Sequence, residues 1–161
     1  MLFRNFWRGG LVPFGISILL SVLLGMGVAR ATEPSYGMVD PVAARDEAGY
    51  SVYVENCATC HVALPPAVLP RETWQTLVTD TAHYGVTLQP FSPFDQQLML
   101  SYLHTYSRSR GSRPTPYRLK DSAYFQALHP GIALPQPLNL RSCTTCHATA
   151  TEQNYRGAIS Q

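Results

Sequence analysis

All four cysteines of the chain stand in two copies of one pattern, Cys57-Ala58-Thr59-Cys60-His61 and Cys143-Thr144-Thr145-Cys146-His147. C-x-x-C-H is the attachment signature of haem c. The spacing has a chemical reason: two thiols about one helical turn apart reach the two vinyl groups of one porphyrin, and the imidazole that follows reaches its iron. Two motifs therefore predict two covalently bound haem c groups. Cys57, Cys60, Cys143 and Cys146 are the attachment points, and His61 and His147 are iron ligands.

Three other uses of paired cysteines fit less well. Zinc ribbons space two C-x-x-C knuckles about 15–20 residues apart, whereas Cys60 and Cys143 are 83 positions apart and a histidine follows each pair. A thioredoxin-like redox pair needs a single motif in a βαβ setting, and no such alternation is present. Structural disulfides suit an exported protein but leave both histidines unexplained.

The sixth iron position decides what such a protein does, because an iron with one protein ligand binds small molecules and an iron with two is closed and suits electron transfer. Beyond the motifs the chain holds three further histidines, His83, His104 and His129. Met38 and Met99 are the thioether candidates. His104 falls about 180° from the centre of the apolar face of its predicted helix and should face solvent, while Met99 lies on that face and reads as core. Met38 precedes the first predicted helix and is the poorer candidate. His129 precedes Pro130, which disfavours the α conformation, and follows the apolar set Tyr124, Phe125 and Leu128. His83 stands beside Gly85, where the chain can turn an imidazole inward. On a regular helix, however, His83 would lie opposite Trp74, so either the helix unwinds near Asp80 or the haem meets a different face. Two irons and two remaining histidines favour bis-histidine ligation; a buried structural role is the alternative for His129.

The elements that must carry these residues are short. Asp40-Pro41 has the form of a helix start, with Asp as N-cap and Pro in the first turn. Tyr50, Tyr53, Val54 and Cys57 then share one helical face that leads to the first motif. Three prolines at 65, 66 and 70 enforce an extended path behind His61. A helix is predicted over Arg71–Tyr84, with Trp74, Leu77 and Val78 on one face and Gly85 as its C-cap. Ser92-Pro93-Phe94-Asp95 opens another with a capping box; its apolar face is Phe94, Leu98, Met99, Tyr102, Leu103 and Tyr106. A polar, basic stretch follows, then a helix across Ser122–Leu128, a proline-rich run to Pro137 and the second motif.

Residues 1–31 have the order of a secretory signal: Arg4 and Arg8, an apolar run Leu11–Val28, and a small-residue Ala29-Arg30-Ala31 site. Cleavage there would start the chain at Thr32 and give a periplasmic protein; retention would give a membrane anchor, since the run approaches the roughly 20 residues needed to span a bilayer. The full chain of 161 residues carries a formal charge of +2 with a pI near 8.4, but losing Arg4, Arg8 and Arg30 from twelve basic residues leaves nine against ten acidic ones. Nucleic acid is not an expected partner. With thirteen prolines and no βαβ alternation, composition favours a mainly α, loop- and proline-rich fold. It divides into a haem lobe at 32–107, similar to a class I cytochrome c, a basic linker at 108–116 and a second, unequal lobe at 117–161.

The chain resembles the dihaem cytochrome c family in Tyr53-Val54-x-x-Cys57-x-x-Cys60-His61, Leu64-Pro65-Pro66, Leu69-Pro70, Trp74 and His83-Tyr84-Gly85. The likeness resumes with Tyr124-Phe125-x-x-x-His129 and Cys143-x-x-Cys146-His147. The resemblance implies two bis-histidine haems, with His83 and His129 at the distal positions. It also implies a periplasmic electron carrier that is not an enzyme and works between a membrane cytochrome b and a small soluble haem protein. Tyr84 stands where the family usually has phenylalanine. The other functional readings are a haem enzyme or gas sensor with one open iron, or a subunit of a membrane redox complex. Arg108, Arg110, Arg113, Arg118 and Lys120 read either as a solvated linker or as a docking patch for an acidic redox partner.

Overall fold

The structure, a computed structural model, describes residues 41–156. The signal-like segment, Met38 and Asp40 lie outside the described residues. Among those described, no helix is long and apolar enough to cross a membrane. The protein is mainly helical, with one two-stranded hairpin.

A 3-10 turn at Ala44–Asp46 leads into helix α1, Glu47–Cys57. The helical path thus begins later than the proline at 41 suggests, because a tertiary contact sets its start. The Tyr106 hydroxyl accepts the Ala43 N–H at 2.8 Å and donates to the buried Asp46 carboxylate at 3.2 Å. Helix α1 ends at Cys57, so Cys60 and His61 follow on a turn and not on the helix itself.

Behind His61 the chain runs extended, broken by a 3-10 turn at Pro66–Val68, and Ala63, Leu64, Pro65, Pro66, Val68, Leu69 and Pro70 are all buried. Prolines remove N–H donors, so this stretch cannot join a ladder, and its buried carbonyls need partners from elsewhere. Side chains supply them. The Tyr53 hydroxyl donates to the Leu64 carbonyl at 2.7 Å, the Trp74 indole to that of Pro66 at 2.9 Å, and the Ser122 hydroxyl to that of Val68 at 2.6 Å.

Helix α2 covers Arg71–Thr79 and stops there, with Asp80 in an extended conformation. The predicted continuation to Tyr84 is replaced by a hairpin of β1, Ala82–His83, and β2, Val86–Thr87. The Asp80 carboxylate accepts the Ala82 N–H at 2.9 Å, an Asx turn that competes with helix. Tyr84 and Gly85 then both adopt positive φ, 49° and 99°, as the two-residue turn of a tight hairpin requires. Gly85 is therefore a hairpin residue and not a helix cap.

Helix α3, Pro93–Tyr106, starts as its capping box predicts: the Ser92 hydroxyl accepts the Asp95 N–H at 3.1 Å. Met99, Tyr102 and Leu103 are buried, but Phe94 is 69 % exposed. Cover on the helix begins after that first turn, where the Gln96 amide donates to the Val78 carbonyl at the end of α2. Helix α3 packs on both α1 and α2. At the α1 crossing the backbones nearly touch, for a Cβ on Gly49 would overlap the Leu98 carbonyl and stand 2.8 Å from Tyr102 Cβ. Helix α4, Ala123–Leu128, is capped by Ser122, and the short α5, Cys143–Cys146, follows a 3-10 turn capped by Asn139 and Ser142 in a reciprocal box.

The core joins these pieces around Tyr53, whose ring meets Trp74 edge-on at 5.9 Å and Tyr102 at 5.7 Å. Val68, Leu69, Val78, Met99, Leu103 and Phe125 fill the space around it.

Candidate haem sites

The two motifs present their residues differently. In the first, α1 carries Cys57, partly buried against the core, and the turn after it leaves Cys60 exposed. In the second, α5 is a single turn whose ends are Cys143 and Cys146, so the two thiols stand one turn apart by construction. None of the four cysteines is in a disulfide. Burial pushes the Cys57 thiol up to about 11 and raises that of Cys143.

The structure brings the four expected iron ligands together in two pairs. His61 and His83 have ring centres 6.2 Å apart with planes 11° from parallel, and His129 and His147 have centres 6.2 Å apart with planes at 81°. An imidazole nitrogen binds a first-row metal at about 2.0 Å and lies about 1.1 Å from its ring centre, so two rings across one iron have centres roughly 6.2 Å apart. Both pairs meet that spacing. The donor sets thus fit two haems, each with one histidine from a C-x-x-C-H motif and one from a distant segment.

Local structure explains how His83 gets there. Termination of α2 at Thr79 and the hairpin turn at Tyr84-Gly85 swing the imidazole toward His61, which resolves its conflict with Trp74. Burial, reinforced by His61, lowers the pKa of His83, so its lone pair is available at neutral pH. His129 caps α4 with φ −126° and ψ 56°, off the helix as the following proline demands. Its ring packs on Phe125 at 4.4 Å.

Hydrogen bonds aim one ring of each pair. His61 Nδ1 lies 2.8 Å from the Val62 carbonyl and His129 Nδ1 lies 2.9 Å from that of Phe125. A carbonyl requires the proton on Nδ1, which leaves Nε2 as the donor atom for a metal. The Nδ1 atoms of His83 and His147 are buried and have no partner. Each pair therefore combines one anchored and one unanchored imidazole.

His104 joins neither pair. It is half-buried, not solvent-facing as its helical angle suggests, and its Nε2 is buried without a partner. Helix α3 is covered on two sides, by α1 and α2, so a residue well off the main face still meets protein. Met99 is fully buried core. One residue at the second site escaped the sequence reading. The Tyr155 ring packs 5.6 Å from His147 while its hydroxyl donates to the Ala63 carbonyl at 2.8 Å, and burial raises its pKa. A lone tyrosine beyond the last motif carries no periodic signal that could have marked it.

The dihaem cytochrome c family matches residues 53–155, and the chain belongs to that family. Its members carry two covalently bound haems of c type and serve electron transfer with redox partner proteins. Among solved structures the chain is similar to a diheme cytochrome type c from Shewanella baltica OS155, at 21% identity over 69% of this chain and 96% of that one, with a TM-score of 0.49. It is also similar to the diheme cytochrome c of Rhodobacter sphaeroides, at 23% identity over 63% and 93% with a TM-score of 0.47. A crystal structure of DHC purified from Rhodobacter sphaeroides gives 24% identity over 63% and 93% and a TM-score of 0.45. No curated protein matches the chain.

Proposed function

We propose that the protein is a periplasmic electron carrier whose two irons are both closed by histidine pairs. His61 and His83 hold one, His147 and His129 the other. Cys57 and Cys60, and Cys143 and Cys146, are the thioether positions. Residues 32–107 and 117–161 each contribute one attachment motif, joined through 108–116, after a signal at 1–31 that is removed on export.

The single observation that carries this reading is the 6.2 Å separation in both histidine pairs, the spacing for two imidazoles on opposite sides of one metal. Each haem, when bound, exchanges one electron by cycling its iron between ferric and ferrous. The chain's residues need supply no acid, base or nucleophile for that. They fix the ligand field, exclude small molecules from the sixth position and present a surface to partners. The sequence resemblance favours a membrane cytochrome b as donor and a small soluble haem protein as acceptor.

The test is carbon monoxide added to the reduced holoprotein. Closed irons leave the Soret band unshifted on the timescale of mixing. A rapid shift would show an open position, the property of a haem enzyme or gas sensor. Substitution His83→Ala or His129→Ala should then create carbon monoxide binding at one iron each.

A further inference from the structure

Between Arg108 and Lys120 the chain carries five cations and no acidic residue. A slack, solvated linker would leave them without a common geometry, but this segment is fastened along its length. The Arg71 N–H donates to the Arg108 carbonyl at 3.0 Å, and the Glu72 carboxylate accepts the Ser109 hydroxyl at 2.7 Å and the Arg110 N–H at 3.0 Å. The Thr73 hydroxyl donates to the Pro116 carbonyl at 3.0 Å, and the Tyr84 hydroxyl to that of Tyr117 at 2.6 Å. The Tyr124 hydroxyl donates to the Ser109 carbonyl.

On this braced backbone the side chains of Arg108, Arg113, Arg118 and Lys120 are exposed. The guanidinium groups of Arg113 and Arg118 each lie 5.8 Å from an aromatic ring centre, over Tyr124 and Tyr117, which limits their wandering. Among the described residues no salt bridge ties up Arg108, Arg113, Arg118 or Lys120, while the Glu72 carboxylate feels the charge of Arg110. A run of ring contacts also links this surface to a haem site: His83 to Tyr84 at 5.1 Å, and Tyr84 to Tyr117 at 4.9 Å. Tyr117 is 64 % exposed.

We infer that residues 108–120, centred on Tyr117 and Arg118, form the docking surface for an acidic one-electron redox protein that exchanges its electron with the iron held by His83. The inference rests on the reading of His83 as an iron ligand. Fixed cations, four of them without a carboxylate beside them, steer an acidic partner. An exposed tyrosine among them supplies a flat apolar contact that can be dried on docking. In the step itself one electron leaves the partner's centre, which is oxidised, and the ferric iron becomes ferrous. No bond is made or broken and no proton moves.

The test uses the holoprotein and reduced plant-type ferredoxin, an acidic one-electron donor of low potential, mixed by stopped flow across a range of salt. The wild-type rate should fall about tenfold or more between low and physiological salt. The double substitution Arg113→Glu/Arg118→Glu should lower the low-salt rate by about tenfold and flatten the salt dependence. Neutral lumiflavin semiquinone should reduce both proteins equally, and their midpoint potentials should agree. A flat wild-type salt profile, or a variant as fast as wild type with ferredoxin, would overturn the proposal. So would a variant whose potentials move while its salt dependence persists, since the arginines would then serve the haem carboxylates. Failure of the ligand reading shows separately, as rapid carbon monoxide binding by the wild type before any partner is added.

Discussion

Gly49 sits where α1 and α3 cross, and replacing it with alanine sets two known effects against each other. Alanine in a helix interior gains about 0.5–1 kcal/mol over glycine from backbone entropy alone. Against this, the added methyl would overlap the Leu98 carbonyl and stand 2.8 Å from Tyr102 Cβ. Carbon atoms rest about 3.5–4.0 Å apart, so the helices must part by roughly 0.7 Å or more, and overpacking of that kind costs about 1–3 kcal/mol. Taking the middle of each range, the net expectation is a loss of about 1 kcal/mol. Guanidinium unfolding of the holoprotein measures it through the emission of Trp74, which is buried in the same core and freed from haem quenching when the chain opens. The midpoint should fall with an unchanged slope. The Tyr50 and Tyr53 contacts with Tyr102, at 5.6 and 5.7 Å, should loosen with it and weaken the near-ultraviolet dichroism. Ser101→Ala, on the exposed side of α3, controls for helix propensity and should leave the midpoint level or slightly raised. A Gly49→Ala protein as stable as wild type would refute the claim that this crossing is closed by backbone contact.

Two further outcomes follow from the sites. If both pairs ligate iron, the 11° and 81° plane angles make the two irons distinguishable: near-parallel imidazoles act on one iron d orbital and split it from its partner, while near-perpendicular ones act on both alike. Paramagnetic resonance of the ferric protein should show one rhombic low-spin signal and one nearly axial signal of larger maximum g, and His83→Ala should remove only the rhombic one; two signals of the same shape would defeat the assignment. Glu72 has its pKa lowered, chiefly by the Arg110 N–H and then by the Ser109 hydroxyl. Its hold on the basic segment is therefore complete above the ordinary glutamate range and lost as pH falls through the folded value, and a falling protection factor at the Arg110 amide on acidification, each rate taken against the intrinsic rate at the same pH and the fall absent in Glu72→Gln, would register it.

The attachment motifs were legible because their chemistry is local: five consecutive residues carry both thiols and one ligand. The capped start of α3 was legible for the same reason, since a cap reaches only two or three residues along the chain. The end of α2 was not. Periodicity continues past Thr79 on paper, and what stops the helix is Asp80 turning its carboxylate back on Ala82, with Tyr84 and Gly85 closing a hairpin two residues later. That turn decides whether His83 meets His61, so reading the residues alone left two geometries open. His104 and Phe94 changed sides because helical angle says nothing about how many neighbours cover a helix. Tyr155 was invisible because its partner, Ala63, is 92 positions away.

The buried stretch behind His61 has an effect on which mutations the protein can absorb. In a strand or helix the hydrogen bonds run between main-chain groups and survive almost any change of side chain. Here the carbonyls of Ala63, Leu64, Pro66 and Val68 are each met by a side chain, from Tyr155, Tyr53, Trp74 and Ser122. Four scattered positions are thereby tied to one segment by hydroxyl and indole groups that few other residues can replace; losing Tyr155, Tyr53 or Ser122 strands a buried acceptor at about 1–3 kcal/mol, while the Pro66 carbonyl keeps the Leu69 N–H at 3.4 Å. Random variation should therefore be filtered at these four positions, although only Tyr155 packs against a haem-site histidine.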